Sequence, residues 1–219
     1  MSTSVEKAAA QVPDLVRTPA LDISADDVAL PRLYIGQHMS AAVQDGLVKP
    51  GAIFTALGKE DADPNVVWGP PGPKAGEGVL VHILGLSKGK SLSVDGELEL
   101  YDYDDPNAPP EAWVTYNYTV ALPEVDADIP YKWLLSRTGA PAAKQINLVL
   151  KKNAGRGPAW HTPFRFTTVP RENAKGKFFV PRVSQAEADA SHIEIAESLA
   201  EIVATVPAAE HSRSEEPAI

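Results

Sequence analysis

Residues 112–122 read AWVTYNYTVAL, an alternation that suits an extended chain and no helix. Val114, Tyr116, Tyr118, Val120 and Leu122 fall on one face, and Trp113, Thr115, Asn117 and Thr119 on the other. The stretch therefore reads as a strand with one apolar face.

Similar runs surround it. PRLYIGQ (31–37) and GAIFTAL (51–57) read as short strands. GVLVHILGLSKGKSLSV (78–94) reads as a long strand that bends near Gly85 or Gly89, followed by ELELYDY (97–103). Residues 58–78 hold four prolines and four glycines beyond Gly58, which predicts a long loop. PYKWLLSRTG (130–139) reads as an extended segment entering a helix over 140–153. Pro141 suits the first turn of that helix, Gly155 its exit, and Ile146, Val149 and Leu150 form its apolar stripe. FRFTTV and KFFVPRV read as a hairpin around PRENAKG. A last helix is expected from Ser184, because Ser184 and Glu187 have capping-box spacing. Ile195, Leu199, Ile202 and Val203 would give it one apolar face. About seven short strands and two helices predict a mainly β fold, compatible with an OB-like small β-barrel carrying a C-terminal helix. Residues 1–27 read as a flexible arm, 28–204 as one domain and 205–219 as a flexible acidic tail.

The chain has 219 residues and a formal net charge of −9, but the charge is unevenly spread. Between Pro130 and Arg182 lie eleven Lys and Arg and a single acid, Glu172, a balance of +10. The rest of the chain carries nine basic and 28 acidic side chains. A positive block in a negative chain suits a polyanion surface, with the acids elsewhere limiting indiscriminate sticking. The plain alternative is that the two portions neutralise each other across the fold.

Enzyme chemistry finds little support. There is no cysteine, so disulfides and thiolate metal sites are excluded. The GKS at 89–91 has one residue too few after Gly85 for a phosphate-binding loop, and it sits inside a strand pattern. The five histidines are scattered, with no pair at metal-ligand spacing. Asp102, Asp104 and Asp105 could offer oxygens to a divalent ion, but a solvated turn before prolines is the simpler reading. No catalytic residue, metal or cofactor is expected. No run is long and apolar enough to span a bilayer, and the first residues lack a secretion-signal core.

The basic block also holds the rings. KKNAGRGPAWHTPFRFTT (151–168) has four cations and three aromatic side chains with no acid. Cations that follow phosphates and rings on which bases stack are the two needs of single-strand binding. The candidate cations are Lys132, Arg137, Lys151, Lys152, Arg156 and Arg165, with Arg171, Lys175 and Lys177 on the hairpin. The candidate rings are Trp113, Trp133, Trp160 and Phe179. Phe164, Phe166 and Phe178 read as core. Alternation leaves one member of the Phe178–Phe179 pair on the cationic side, and Phe179 shares that side with Lys175 and Lys177.

LPRLYIGQHMSAAVQDGLVKPGAIFTAL, DDPNAPPEAWVTYNYTVALPEVD and RGPAWHTPFRFTTVPRENAKGKFFVPRV resemble proteins of tailed actinobacterial phages designated single-stranded DNA-binding proteins. The resemblance covers roughly residues 29–203. It implies an OB-type fold and a role in phage DNA replication or recombination in the cytoplasm of the bacterial host. It assigns no binding residues. Two other classes remain: a virion structural or decoration protein, and a protein modulator of a recombinase. A homo-oligomer is compatible with each. The tail residues Glu215, Glu216, Pro217 and Ile219 are similar in kind to the acidic tails with which bacterial single-strand binding proteins dock replication partners. A plain solvated tail is the simpler reading.

Overall fold

A computed structural model describes residues 30–57, 63–69, 78–94, 97–174 and 176–205. The expected N-terminal arm, residues 206–219 of the expected tail, and Lys175 lie outside them. β1 (Arg32–Ile35), α1 (Ala41–Gln44), β2 (Ile53–Ala56) and β3 (Asn65–Trp68) lead into β4 (Val79–Val94). There follow β5 (Glu97–Asp102), β6 (Trp113–Leu122), β7 (Asp126–Ser136) and α2 (Ala140–Asn153). β8 (Phe164–Asn173), β9 (Gly176–Gln185) and α3 (Ala190–Thr205) complete the order.

Among the described residues, nine strands form one mixed sheet in the order β3-β2-β1-β7-β6-β4-β8-β9, with β5 beside the far end of β4. Only the β1–β7 pairing is parallel among the described residues. β4 is long enough to serve three neighbours. Val79–Val81 pair with β8, Gly89–Val94 with β5, and the opposite edge pairs with β6 from His82 to Ser91. Its register shifts between Ile83 and Gly85, where the bend was expected.

The alternation of β6 is used on both faces. Tyr118, Val120 and Leu122 join Val79, Val81, Trp133, Phe164 and Phe166 in the main core, and Ala142, Ala143 and Ile146 of α2 lie across it. The Tyr118 hydroxyl lies 2.9 Å from Asn147 Oδ1 and 3.2 Å from the Ala143 carbonyl, tying strand to helix. On the opposite face, Ala196 and Leu199 of α3 pack on Ala121.

Several expectations are revised. The described backbone ladders run from β3 to β9 without closing, so the sheet is open where a small barrel was expected. Its far strand nevertheless returns toward its start through a side chain. Pro170 has no N–H and so occupies a position opposite Phe179 whose backbone groups face away from β8. The Gln37 amide takes both of those groups: the Phe179 N–H donates to Oε1 at 2.9 Å and Nε2 donates to the carbonyl at 2.8 Å.

β3 lies inside the expected Pro/Gly loop, stabilised by pairing with β2. The short α1 makes a third helix. The last helix starts at Ala190, six residues after the expected Ser184, because Ser184 is still paired with Arg165 in the hairpin. Ladder bonds outweigh a capping-box signal here. The buried face of α3 is Ala196, Leu199 and Ala200 with Ile195 packed beside it, whereas the expected Ile202 is 48% exposed.

Candidate nucleic-acid interface

Most of the predicted rings are structural. Trp133, expected as a stacking residue, is 2% exposed and packs on Phe166 with ring centroids 4.4 Å apart. The reason is its parity on β7, which it shares with the buried Tyr131 and Leu135. Phe164 and Phe166 are buried as expected. Trp113 is half-buried, and the Arg137 guanidinium lies over its ring, 3.9 Å from the centroid. Arg137 holds φ of 45°, a left-handed conformation unusual for a side chain of its size. One face of Trp113 is thus already covered by a cation–π contact.

Trp160, on a 3-10 turn at Ala159–His161, is half-buried against the Ala121–Ala196–Leu199 cluster beneath α3. Its carbonyl accepts a hydrogen bond from Nδ1 of the buried His82 at 2.7 Å. Burial pushes the His82 pKa below the ordinary histidine value, with the bond to the Trp160 carbonyl opposing it. Stability contributed by neutral His82 is complete above about pH 6.5, the unfolded value. It is lost as pH falls from there through the lower folded value, because the unfolded chain then binds the extra proton. Urea melts should show stability declining from pH 7.5 to 5.5, with a shallower decline in His82→Gln. An equal decline in both would place the titration elsewhere.

The cations divide into committed and free. Arg165 donates to both Glu124 oxygens, at 2.5 and 2.7 Å, and its hydrogen bonds hold the Glu124 carboxyl below the usual carboxylate range. Lys132 is half-buried 3.3 Å from Thr119 Oγ1, and burial, then the neighbouring Arg32, lowers its pKa. Lys151, Lys152, Arg156, Arg171, Lys177 and Arg182 are exposed, and none has an acidic partner among the described residues.

Five of those cations lie along the hairpin side facing α2 and at the end of α2. Lys177 alternates with Phe178 onto the hairpin's other face, with Phe179 and directly opposite Glu172. A groove of about 710 Å³ lies between the start of α2, at Thr138, Pro141 and Gln145, and the β8–β9 hairpin. Arg171, Glu172, Phe178, Val180 and Arg182 line its hairpin side. A smaller cavity of about 160 Å³ follows at the other end of the same two elements, lined by Asn153, Arg156, His161 and Gln185. Lys151 and Lys152 stand in the last turn of α2 beside it.

The assignment of the two phenylalanines is also revised. Phe179 is half-buried over Gly51, with His38 at 5.8 Å, whereas Phe178 faces the groove with Arg171 and Arg182. Register explains the grouping, because Arg171 is directly opposite Phe178 and Arg182 is four residues further along the same face. Phe178 and Arg182 were outside the candidate set, as were Arg32 and a second group on β4. Lys88 and Lys90 there approach the Tyr103 ring, at 3.5 and 5.9 Å from its centroid. Their alternation within LSKGKSL was the available signal. In the Asp102–Asp105 turn, the Asp105 carboxylate accepts the Asn107 N–H at 2.8 Å.

Among the described residues, no helix is long and apolar enough to cross a membrane. Compared with known proteins, the chain matches no family model, no curated protein and no solved structure.

Proposed function

We propose that the protein binds single-stranded DNA without sequence preference along the border between β9 and α2. The observation that carries this reading is the set of five exposed cations on that border, Lys151, Lys152, Arg156, Arg171 and Arg182, without acidic partners among the described residues, in a chain of net charge −9. Arg165, by contrast, is paired with Glu124. The sequence resemblance supports a setting in phage DNA replication or recombination in the host cytoplasm, and an open, curled relative of the OB barrel as the scaffold. Backbone neutralisation without base-edge contacts gives affinity that tolerates any sequence.

Three to five phosphate contacts predict a log–log salt dependence of about −2 to −3.5, at roughly −0.7 per contact on single strands. Fluorescence anisotropy with single-stranded and duplex oligonucleotides over a salt series measures it. A flat salt response, or equal affinity for both forms, overturns the proposal. Binding to purified phage particles or to a recombinase, with no DNA binding, would favour the structural or modulator role instead.

A further inference from the structure

We infer that the groove between α2 and the β8–β9 hairpin seats a base on the Phe178 ring, while Arg171 and Arg182 hold phosphates of the same strand. The inference rests on the single-strand reading and adds to it the site where bases, and not only phosphates, are recognised. Three features converge at this place. The groove has a volume of about 710 Å³, within the usual range for small-molecule sites. Phe178 is half-buried, so its ring is held by the fold while part of it remains open to the groove. Its flanking cations are exposed arginines, whose planar guanidinium forks suit phosphate oxygens.

Spacing also fits one extended strand. Arg171 pairs directly with Phe178, whereas Arg182 lies four residues along β9, about 13 Å away at the rise of a strand. The two guanidinium groups can therefore serve different phosphates of one strand, Arg171 level with the stacked base and Arg182 further along to one side. Val180 gives the groove apolar surface beside Phe178, while Thr138, Gln145 and Glu172 supply its polar lining; stacking on the Phe178 ring face reads no base identity. The other rings of the block are less suited to the task. Trp133 is buried, Trp160 packs under α3, Trp113 is covered on one face by Arg137, and Phe179 leans on Gly51.

The test compares an oligo-dT strand with an abasic strand of equal length and charge, by anisotropy at low salt. Wild-type protein should prefer oligo-dT. Phe178→Ala should lose about five- to 150-fold on oligo-dT, the worth of one stacked base, and little on the abasic strand. Phe178→Leu keeps apolar volume without a flat ring and should lose the same preference, which guards against a folding defect in the alanine variant. Arg171→Gln and Arg182→Gln should weaken both strands alike and each reduce the salt slope by about 0.7. If wild-type protein binds both strands equally, or if the preference survives in both Phe178 variants, the base seat is overturned while single-strand binding stands. Wild-type protein that binds neither strand overturns the parent reading and the base seat together.

Discussion

Trp133→Ala is expected to destabilise the fold by about 3–5 kcal/mol, the range for removing a large buried ring. That is a large part of the 5–15 kcal/mol that holds a typical domain together. The position explains the size. Trp133 is opposite Leu33 of β1 on one side of β7 and Tyr118 of β6 on the other. Its ring also meets Phe166 of β8 at 4.4 Å and Tyr118 at 5.9 Å. One side chain therefore joins the β1–β3 portion of the sheet, its centre and the hairpin strand. Truncation would leave a cavity shared by elements far apart in sequence, which cannot collapse by a local shift. Trp113→Ala should cost much less, because that ring is half-buried at the end of β6 and its named contact is a single guanidinium. Urea unfolding of the two variants gives the comparison. A folded, fully stable Trp133→Ala that lost DNA affinity would show the ring to be a binding surface after all.

The same residue shows what was legible in the sequence. In YKWLL, Trp133 alternates in phase with Tyr131 and Leu135, and all three are buried. The period gave the correct grouping, but it does not say which face of a strand will be covered. The Phe164–Arg165–Phe166 alternation fell as expected, and Tyr118, Val120 and Leu122 of β6 are buried, but Thr115 and Thr119 on its polar face are buried as well because the fold covers both faces of that strand. The helix over 140–153 matched α2 at both ends, because Pro141 and the Ile146 stripe act locally. Tertiary pairing was invisible. β3 exists by pairing with β2, and Ser184 is kept in a strand by Arg165. Arg165 itself is neutralised by Glu124, 41 residues away, so counting cations in one segment overstated the free charge. The proposed interface is consequently smaller than the basic block. It is drawn from the cations that have no acidic partner among the described residues, a property of three-dimensional neighbours.

Gly51→Ala is the second large effect, and its cause lies in how the sheet returns on itself. Gly51 has φ of +81°, and a Cβ there would stand 2.6 Å from Phe179 Cε1 and 2.7 Å from Cδ1. Its N–H donates to the Gly36 carbonyl at 2.7 Å, and its carbonyl accepts the Thr168 hydroxyl at 2.6 Å. The turn before β2 is thereby fastened to β1 on one side and to β8 on the other. Nor can the Phe179 backbone withdraw freely, since Gln37 holds both its N–H and its carbonyl. A left-handed alanine and an overpacked ring together should cost about 2–5 kcal/mol. Gly46→Ala separates the two terms. Gly46 has φ of +76° but nothing within 4 Å of its Cβ position, so that variant carries the backbone strain alone. Phe179→Ala combined with Gly51→Ala should recover the steric part, leaving a loss similar to that of Gly46→Ala beyond the cost of Phe179→Ala itself. Chemical denaturation of these four variants completes the cycle. Equal losses at Gly51 and Gly46, with no coupling to Phe179, would mean that the ring simply swings aside. The hairpin would then be held to the β1–β2 turn by Gln37 and Thr168 alone, and the groove beside Phe178 would owe nothing to the packing of Phe179 on Gly51.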